Sequence, residues 1–297
     1  MKKESFAPGK IILSGEYAVV FGHPGVAVPS PIGMNVTFKE KLETDGIEVV
    51  WPDMPAPWSE YLNLIIDHCR NLGCDKNGTL KIDNELPLGK GMGSSTSLMV
   101  AVSRCLLGEN CRDLALAIED SVNPGHSGVD FNVIWMNSPI LFMKGQKVEK
   151  IDLDLSILKK TFLIDTGKPG ETTSELINWI SERKDELNST FKKIADCTHK
   201  ITKLVSLSGV EGQQALIEII KEHHKAQVEL GVVPENVQEL VDLIENSGGA
   251  AKVIGAGGRE NKAGPAHRSP KGAGGMVLAI GISEPFLKDQ SFPYFSL

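Results

Sequence analysis

At 297 residues, with 41% hydrophobic and 23% charged side chains, the chain has an ordinary globular composition and length for about two domains. A formal charge of −7 excludes a global basic field that would draw in nucleic acid or an anionic membrane. Five cysteines, odd in number and without a Cys-x-x-Cys pair, fit free thiols in a reducing cytoplasm better than a disulfide framework or a zinc site.

The N-terminus, Met-Lys-Lys-Glu-Ser-Phe-Ala-Pro-Gly-Lys, lacks an apolar signal core, and no run is long enough to span a membrane, so a cytoplasmic location is expected. Residues 5–20 read as strand, followed by the turn signal Gly22-His-Pro-Gly25. Strands are predicted at 26–28, 34–38 and 47–51, the second clearly alternating. Apolar residues at helical spacing predict a helix from Trp58 to Leu72, with Gly73 as a stop signal. Residues 79–82 are predicted as strand, and 94–107 and 112–122 as helices, the second ended by Asn123-Pro-Gly125. A hairpin is expected from 140–143 and 148–151, then a strand at 161–164.

The texture then changes to helices over 171–184, 186–206, 211–228 and 234–246, followed by short strands at 253–254 and 276–280. Strands and helices mix without regular alternation, which favours α+β over a doubly wound sheet. The shift near residue 155 predicts two domains, 1–155 and 156–297.

Leu86-Pro-Leu-Gly-Lys-Gly-Met-Gly-Ser-Ser95 precedes an apolar helical run. Glycines let backbone N–H groups approach a ligand, and the helix that follows presents its positive end to the same place. The pairing suits an anion, most often phosphate. It is neither a Walker A loop, since no Ser or Thr follows Lys90, nor a dinucleotide fingerprint, since Ser94 stands where the third glycine belongs. A glycine-rich turn before a core helix fits as well.

Three further constellations carry chemistry. Residues 7–22 place Lys10 and Glu16 close to a strand; Glu119 on a helix precedes Asp130 in what reads as a Ser-Gly loop; and Ala250–Gly258 and Gly272–Gly275 form a split glycine loop. A helix carboxylate and a loop carboxylate can divide the work between magnesium, a hard cation that needs few protein ligands, and a hydroxyl. Each of these also fits ordinary surface residues. His223 and His224, adjacent on a helix, cannot share one metal geometry and are read as structural or surface.

Taken in order, Pro8-Gly-Lys-Ile-Ile-Leu-Ser-Gly-Glu16, Leu86–Ser95, Ser127-Gly-Val-Asp130 and Lys252-Val-Ile-Gly-Ala-Gly-Gly258 resemble the motifs of the GHMP kinase superfamily. Within it, Gly15-Glu-Tyr-Ala-Val-Val-Phe-Gly-His-Pro-Gly25 and the stretch from His224 to Gly231 are most similar to the mevalonate kinases. The resemblance implies an N-terminal domain like the second domain of ribosomal protein S5 and a ferredoxin-like C-terminal domain. It also implies ATP and Mg2+ as cofactors and mevalonate as the substrate, with no nucleic-acid or membrane partner and a homodimer allowed.

The resemblance assigns roles residue by residue. Gly89, Lys90, Gly91, Met92, Gly93, Ser94, Ser95 and Thr96 would wrap the ATP phosphates, and Ser95 with Glu119 would hold magnesium. Asp130 would face the acceptor hydroxyl as base or orienting group, with Lys10 beside it to stabilise the developing alkoxide. Glu16 and Tyr17 would lie on the substrate side. Phosphomevalonate kinase, a sugar kinase of the same group and a non-catalytic ligand sensor are the alternatives.

The chain departs from the family pattern in three places. Tyr17 replaces a usual histidine, His126 stands where a proline often precedes Ser-Gly-x-Asp, and an insert splits the last glycine motif. That insert is expected to act as a flap, with Arg259, Lys262, Arg268 and Lys271 supplying positive charge near phosphate; a solvent loop without a role is the alternative.

Overall fold

The computed structural model describes residues 2–41, 45–255, 257–259 and 273–297. The chain packs as two compact units, each discontinuous: residues up to Lys10 with Pro29–Ser138, and Ile11–Val28 with Pro139–Leu297. Residues 139–155, grouped by composition with the N-terminal half, thus pack in the second unit.

Strands β1 (Lys2–Ser14) and β2 (Gly25–Glu40) contribute residues to both units. The two strands expected at 26–28 and 34–38 are one continuous β2. Its residues Met34–Glu40 pair antiparallel with β4 (Gly78–Asn84), and Gly25–Ala27 pair with β5 (Ile140–Phe142). Pro29 and Pro31 fall between those two ladders, where their missing N–H groups cost neither ladder a bond.

In the first unit β3 (Ile47–Val50) runs parallel to β4 (Gly78–Asn84). Helix α1 (Ala56–Asn71) buries Leu62, Ile65, Ile66 and Cys69, the apolar stripe seen in its sequence. Helices α2 (Ser94–Leu107) and α3 (Arg112–Val122) have the bounds their sequences predict. A further helix, α4 (Val129–Met136), was not expected. Its sequence is apolar nearly all round, so it lacks the polar face that announces a helix, and it buries Val129, Phe131, Val133 and Ile134.

In the second unit β5 and β6 (Glu149–Lys150) form the expected hairpin. A four-stranded antiparallel sheet has the order β10-β7-β9-β8, from β7 (Thr161–Asp165), β8 (Ala250–Ile254), β9 (Met276–Ile280) and β10 (Tyr294–Ser296). Its helices are α5 (Thr173–Ser181), α6 (Asn188–Thr202), α7 (Gly209–Leu230), α8 (Glu235–Asn246) and α9 (Glu284–Lys288). Thr172 and Glu175 form a reciprocal capping box that starts α5, and Gly231 at φ +79° ends α7. The α6 reading overran by one turn, which is a separate 3-10 helix at Lys203–Ser206.

The architecture is therefore mixed α+β with two sheets, as expected. Among the described residues no helix is long and apolar enough to cross a membrane. The five cysteines are free and buried. Burial pushes the Cys69 and Cys105 thiols up to about 12, which keeps them protonated and unreactive.

Candidate active site

The glycine loop is built by backbone conformation. Gly89, Gly91 and Gly93 have φ of +70°, +83° and +70°, a region that favours residues without a Cβ. The Gly89 N–H donates to Ser94 Oγ at 3.1 Å, which closes the loop on the first turn of α2. Met92 is buried and its carbonyl accepts the Lys10 N–H at 2.9 Å. Ser97 Oγ donates to the carbonyls of Pro8 and Gly93 at 2.7 and 3.0 Å, tying α2 to β1.

Gly9 lies so deep in this junction that a Cβ would sit 2.7 Å from Leu86 Cδ2 and 2.8 Å from Ser30 Oγ. No side chain caps the N-terminus of α2, so its first turn presents backbone N–H groups and a positive dipole end. Lys90 and Ser95 are both half-buried.

Lys10 and Asp130 come together here. Lys10 Nζ lies 3.3 Å from Asp130 Oδ1, the lysine side chain being 6% exposed and the aspartate 35%. Asp130 is not on a loop, as its Ser-Gly context suggested; it is in the first turn of α4. Gly128, at φ +90°, makes the turn into that helix, and Asn132 Nδ2 donates back to its carbonyl at 2.8 Å. His126, flagged beside Asp130, pairs through Nε2 with Asp120 Oδ1 at 2.8 Å.

Glu119 is 1% exposed on α3, and Thr96 Oγ1 donates to its Oε1 at 2.8 Å. The hydroxyl that touches this carboxylate is thus that of Thr96, not of Ser95. Burial pushes the Glu119 carboxyl above the ordinary range, and hydrogen bonds from Thr96 and Asn123 pull it back in part. Its Oε2 is buried without a hydrogen-bond partner. Among the described residues no three His, Cys, Asp or Glu side chains converge as a metal cage.

The remaining expected residues belong to the second unit. Glu16 is buried and pairs with Lys252 Nζ, which also donates to the carbonyls of Ile12 and Val253 at 3.1 and 3.2 Å. Glu16 Oε2 lies 3.3 Å from His223 Nε2, and Gln227 Nε2 donates to the Val253 carbonyl at 2.9 Å. Tyr17 is buried at φ +64°, and burial, then the charges of Glu16 and Glu171, push its phenol well above the usual range.

Sequence reasoning missed the Lys252–Glu16–His223 cluster. The one available signal was His223 and Gln227, polar residues one turn apart on the buried face of α7. Arg259 pairs with Glu171, its Nε 2.5 Å from Oε1, and stacks on Trp179 at 4.7 Å. Its charge is therefore engaged within the second unit. Lys262, Arg268 and Lys271 of the expected flap lie outside the described residues. The two halves of the split glycine motif do meet, since a Cβ on Gly258 would lie 2.7 Å from the Ala273 carbonyl.

Both His223 and His224 are buried, not surface residues. Burial pushes the His224 imidazole down to about 4 and the His223 imidazole well below 6.5. In the unfolded chain both protonate near 6.5, so the unfolded state takes up protons first as pH falls. Their contribution is complete above about pH 6.5 and is lost from there down to about pH 4. His224 alone is expected to account for about 2 kcal/mol of stability lost between pH 7.5 and 5. Urea unfolding at those two pH values, with His224→Gln showing a flatter response, checks this.

The family profile for the GHMP kinases N terminal domain matches residues 60–130, which hold the glycine loop, Glu119 and Asp130. Curated mevalonate kinases match almost end to end. That of Archaeoglobus fulgidus is 26% identical over 85% of this chain and 88% of its own length, and that of Thermococcus gammatolerans 29% over 87% of each.

The chain thus carries the GHMP kinase N-terminal signature and is similar to mevalonate kinases over most of its length.

Solved structures share the fold of this chain. Methanococcus jannaschii mevalonate kinase superposes with a TM-score of 0.76 at 20% identity, over 99% of this chain and 96% of that one. L. major mevalonate kinase in complex with R-mevalonate gives 0.74 at 20% identity, over 96% and 89%.

Gly93 offers a direct test of the loop. A Cβ there would lie 3.0 Å from both Ile134 Cδ1 and Lys10 Cγ and 3.4 Å from Asp130 Oδ2, at a positive φ. Gly93→Ala is expected to add about 1–2 kcal/mol of strain and to raise KM for ATP by about tenfold. Steady-state kinetics with ATP varied checks it.

Proposed function

We propose that this GHMP kinase transfers the γ-phosphoryl group of ATP to the C5 hydroxyl of mevalonate, giving 5-phosphomevalonate and ADP in the cytoplasmic synthesis of isoprenoid precursors. The observation that carries this reading is the Lys10–Asp130 pair at 3.3 Å, beside the glycine loop at the head of α2. The curated mevalonate kinases, matched over most of the chain, supply the substrate.

Phosphoryl transfer needs little covalent chemistry from the protein; it needs in-line positioning and neutralisation of charge. Backbone N–H groups of the loop and of the first turn of α2 would hold the phosphates. Asp130 would orient the C5 hydroxyl and accept its proton as the new P–O bond forms. Lys10 Nζ would stabilise the charge that develops on that oxygen.

The residues also fit a divalent cation. Glu119 Oε2 is a buried oxygen with no hydrogen-bond partner, and hydroxyls are adjacent in sequence at Ser95 and Thr96. Glu119 with Ser95 would hold Mg2+, a hard cation that takes one or two protein oxygens and keeps waters and phosphate for the rest. When bound it supplies charge neutralisation on the phosphates.

A coupled ADP-release assay across mevalonate, 5-phosphomevalonate, galactose and homoserine tests the reading. Turnover with mevalonate at the highest kcat/KM is expected. A preference for 5-phosphomevalonate or galactose would move the assignment within the superfamily, and no turnover with any of the four would leave a ligand sensor.

A further inference from the structure

Tyr61 lies outside every motif that identifies the superfamily, yet its phenol stands where three helices meet. It sits on α1, half-buried, with Trp58 packed edge-on at 6.1 Å and Trp51 edge-on to Trp58 at 6.1 Å. These rings hold the phenol from one side.

On the other side Asn123 Nδ2 donates to Tyr61 Oη at 3.0 Å. Asn123 is the residue that ends α3, and its N–H bonds the Glu119 carbonyl at 2.9 Å. Ser95, in the first turn of α2, adjoins the same phenol. Because Oη accepts from Asn123, the phenol keeps its own O–H to donate.

Glu119 is thus held through Oε1 by Thr96 and through its backbone carbonyl by Asn123, while Oε2 is left without a hydrogen-bond partner. A side chain so deeply buried would not hold one oxygen in a fixed, unsatisfied direction unless its neighbours fixed it there.

We propose that Tyr61, acting through Asn123 and Ser95, is a positioning residue that aims the Glu119 carboxylate and the Ser95 hydroxyl at the divalent cation of the bound nucleotide. This inference rests on the kinase reading above and names a residue that reading does not use. Tyr61 does not touch substrate or cation. It sets the geometry of the groups that do, so its loss weakens metal–nucleotide binding more than it slows transfer.

The test is binding of Mn2+ in the presence of ADP, followed by electron paramagnetic resonance, alongside steady-state kinetics of the full chain. Tyr61→Phe removes only the hydroxyl. It is expected to weaken Mn2+ binding and to raise KM for Mg·ATP by about tenfold each, with KM for mevalonate and kcat at saturation within about twofold of the starting protein. Asn123→Ala, at a half-buried helix end, removes the same bond from its other side and should shift both quantities in the same direction. It also covers the case in which Tyr61→Phe folds poorly.

Unchanged Mn2+ affinity and KM for ATP in both variants would overturn the proposal. So would equal losses in every parameter together with a lowered folded fraction, since that pattern marks a merely structural role. Glu119→Gln separates the two readings. If it binds Mn2+ as the starting protein does, the metal assignment itself fails. If it loses Mn2+ while Tyr61→Phe and Asn123→Ala do not, only the positioning role fails.

Discussion

Replacing Asp130 with asparagine is expected to lower kcat about a thousandfold while leaving the Kd for ATP within about twofold. The substitution keeps shape and volume and removes the negative charge and the proton acceptor. Lys10 Nζ, 3.3 Å away and 6% exposed, then faces a neutral amide and loses its counter-charge. The ammonium then lacks the partner that holds it in place, which works against stabilising an alkoxide developing beside it. ATP is expected to bind as before, because the loop glycines and the first turn of α2 do not depend on the aspartate for their conformation. Rapid-quench measurement of the first turnover, with nucleotide binding followed by fluorescence, reads both quantities. A kcat within about threefold of the starting protein would remove Asp130 from the chemistry.

The second large effect concerns stability. Lys252 is fully buried in the centre of β8, and its ammonium is neutralised by Glu16, itself 3% exposed. Lys252→Met keeps most of the volume but strands a carboxylate among buried groups, and loss of one partner of a buried pair costs about 3–5 kcal/mol. The free energy of urea unfolding should fall by that amount at pH 7.5. Adding Glu16→Gln removes the stranded charge, and the double variant is expected to recover more than half of the loss. A double variant that is no better than Lys252→Met alone would show that the cost comes from packing or from the carbonyls of Ile12 and Val253, which lose their donor.

Much of the first unit was legible in the sequence because its signals are local. Helix α3 carries its own stop signal in Asn123-Pro-Gly125, and both α2 and α3 keep the predicted bounds. Lys10 and Asp130 lie far apart in the chain, and their pairing was reachable only through the order of the motifs, not through periodicity or spacing.

Helix α4 escaped notice because Val-Asp-Phe-Asn-Val-Ile-Trp-Met has no polar stripe, so Asp130 was placed on a loop. Thr96, not Ser95, reaches Glu119 because one residue on a helix turns a side chain by about 100°, a distinction no linear motif encodes. The Lys252–Glu16–His223 cluster joins a strand, a turn and a helix separated by as many as 236 positions. Long-range polar satisfaction of this kind leaves no local pattern. Tyr61 was seen only as one apolar position on α1, since its role depends on a phenol oxygen that periodicity ignores.

Gly9 makes a slot that admits no side chain, with Leu86, Ser30 and the Met92 carbonyl all too close for a Cβ. Its neighbours in the chain are Pro8 and Lys10. If β1 slid by one residue in either direction, a proline ring or a lysine chain would have to enter that slot, and every side chain along the strand would change face. Misregistered forms of this strand are therefore excluded by volume before any favourable contact is counted. The lysine beside Asp130 is kept on its face by the emptiness of the position before it.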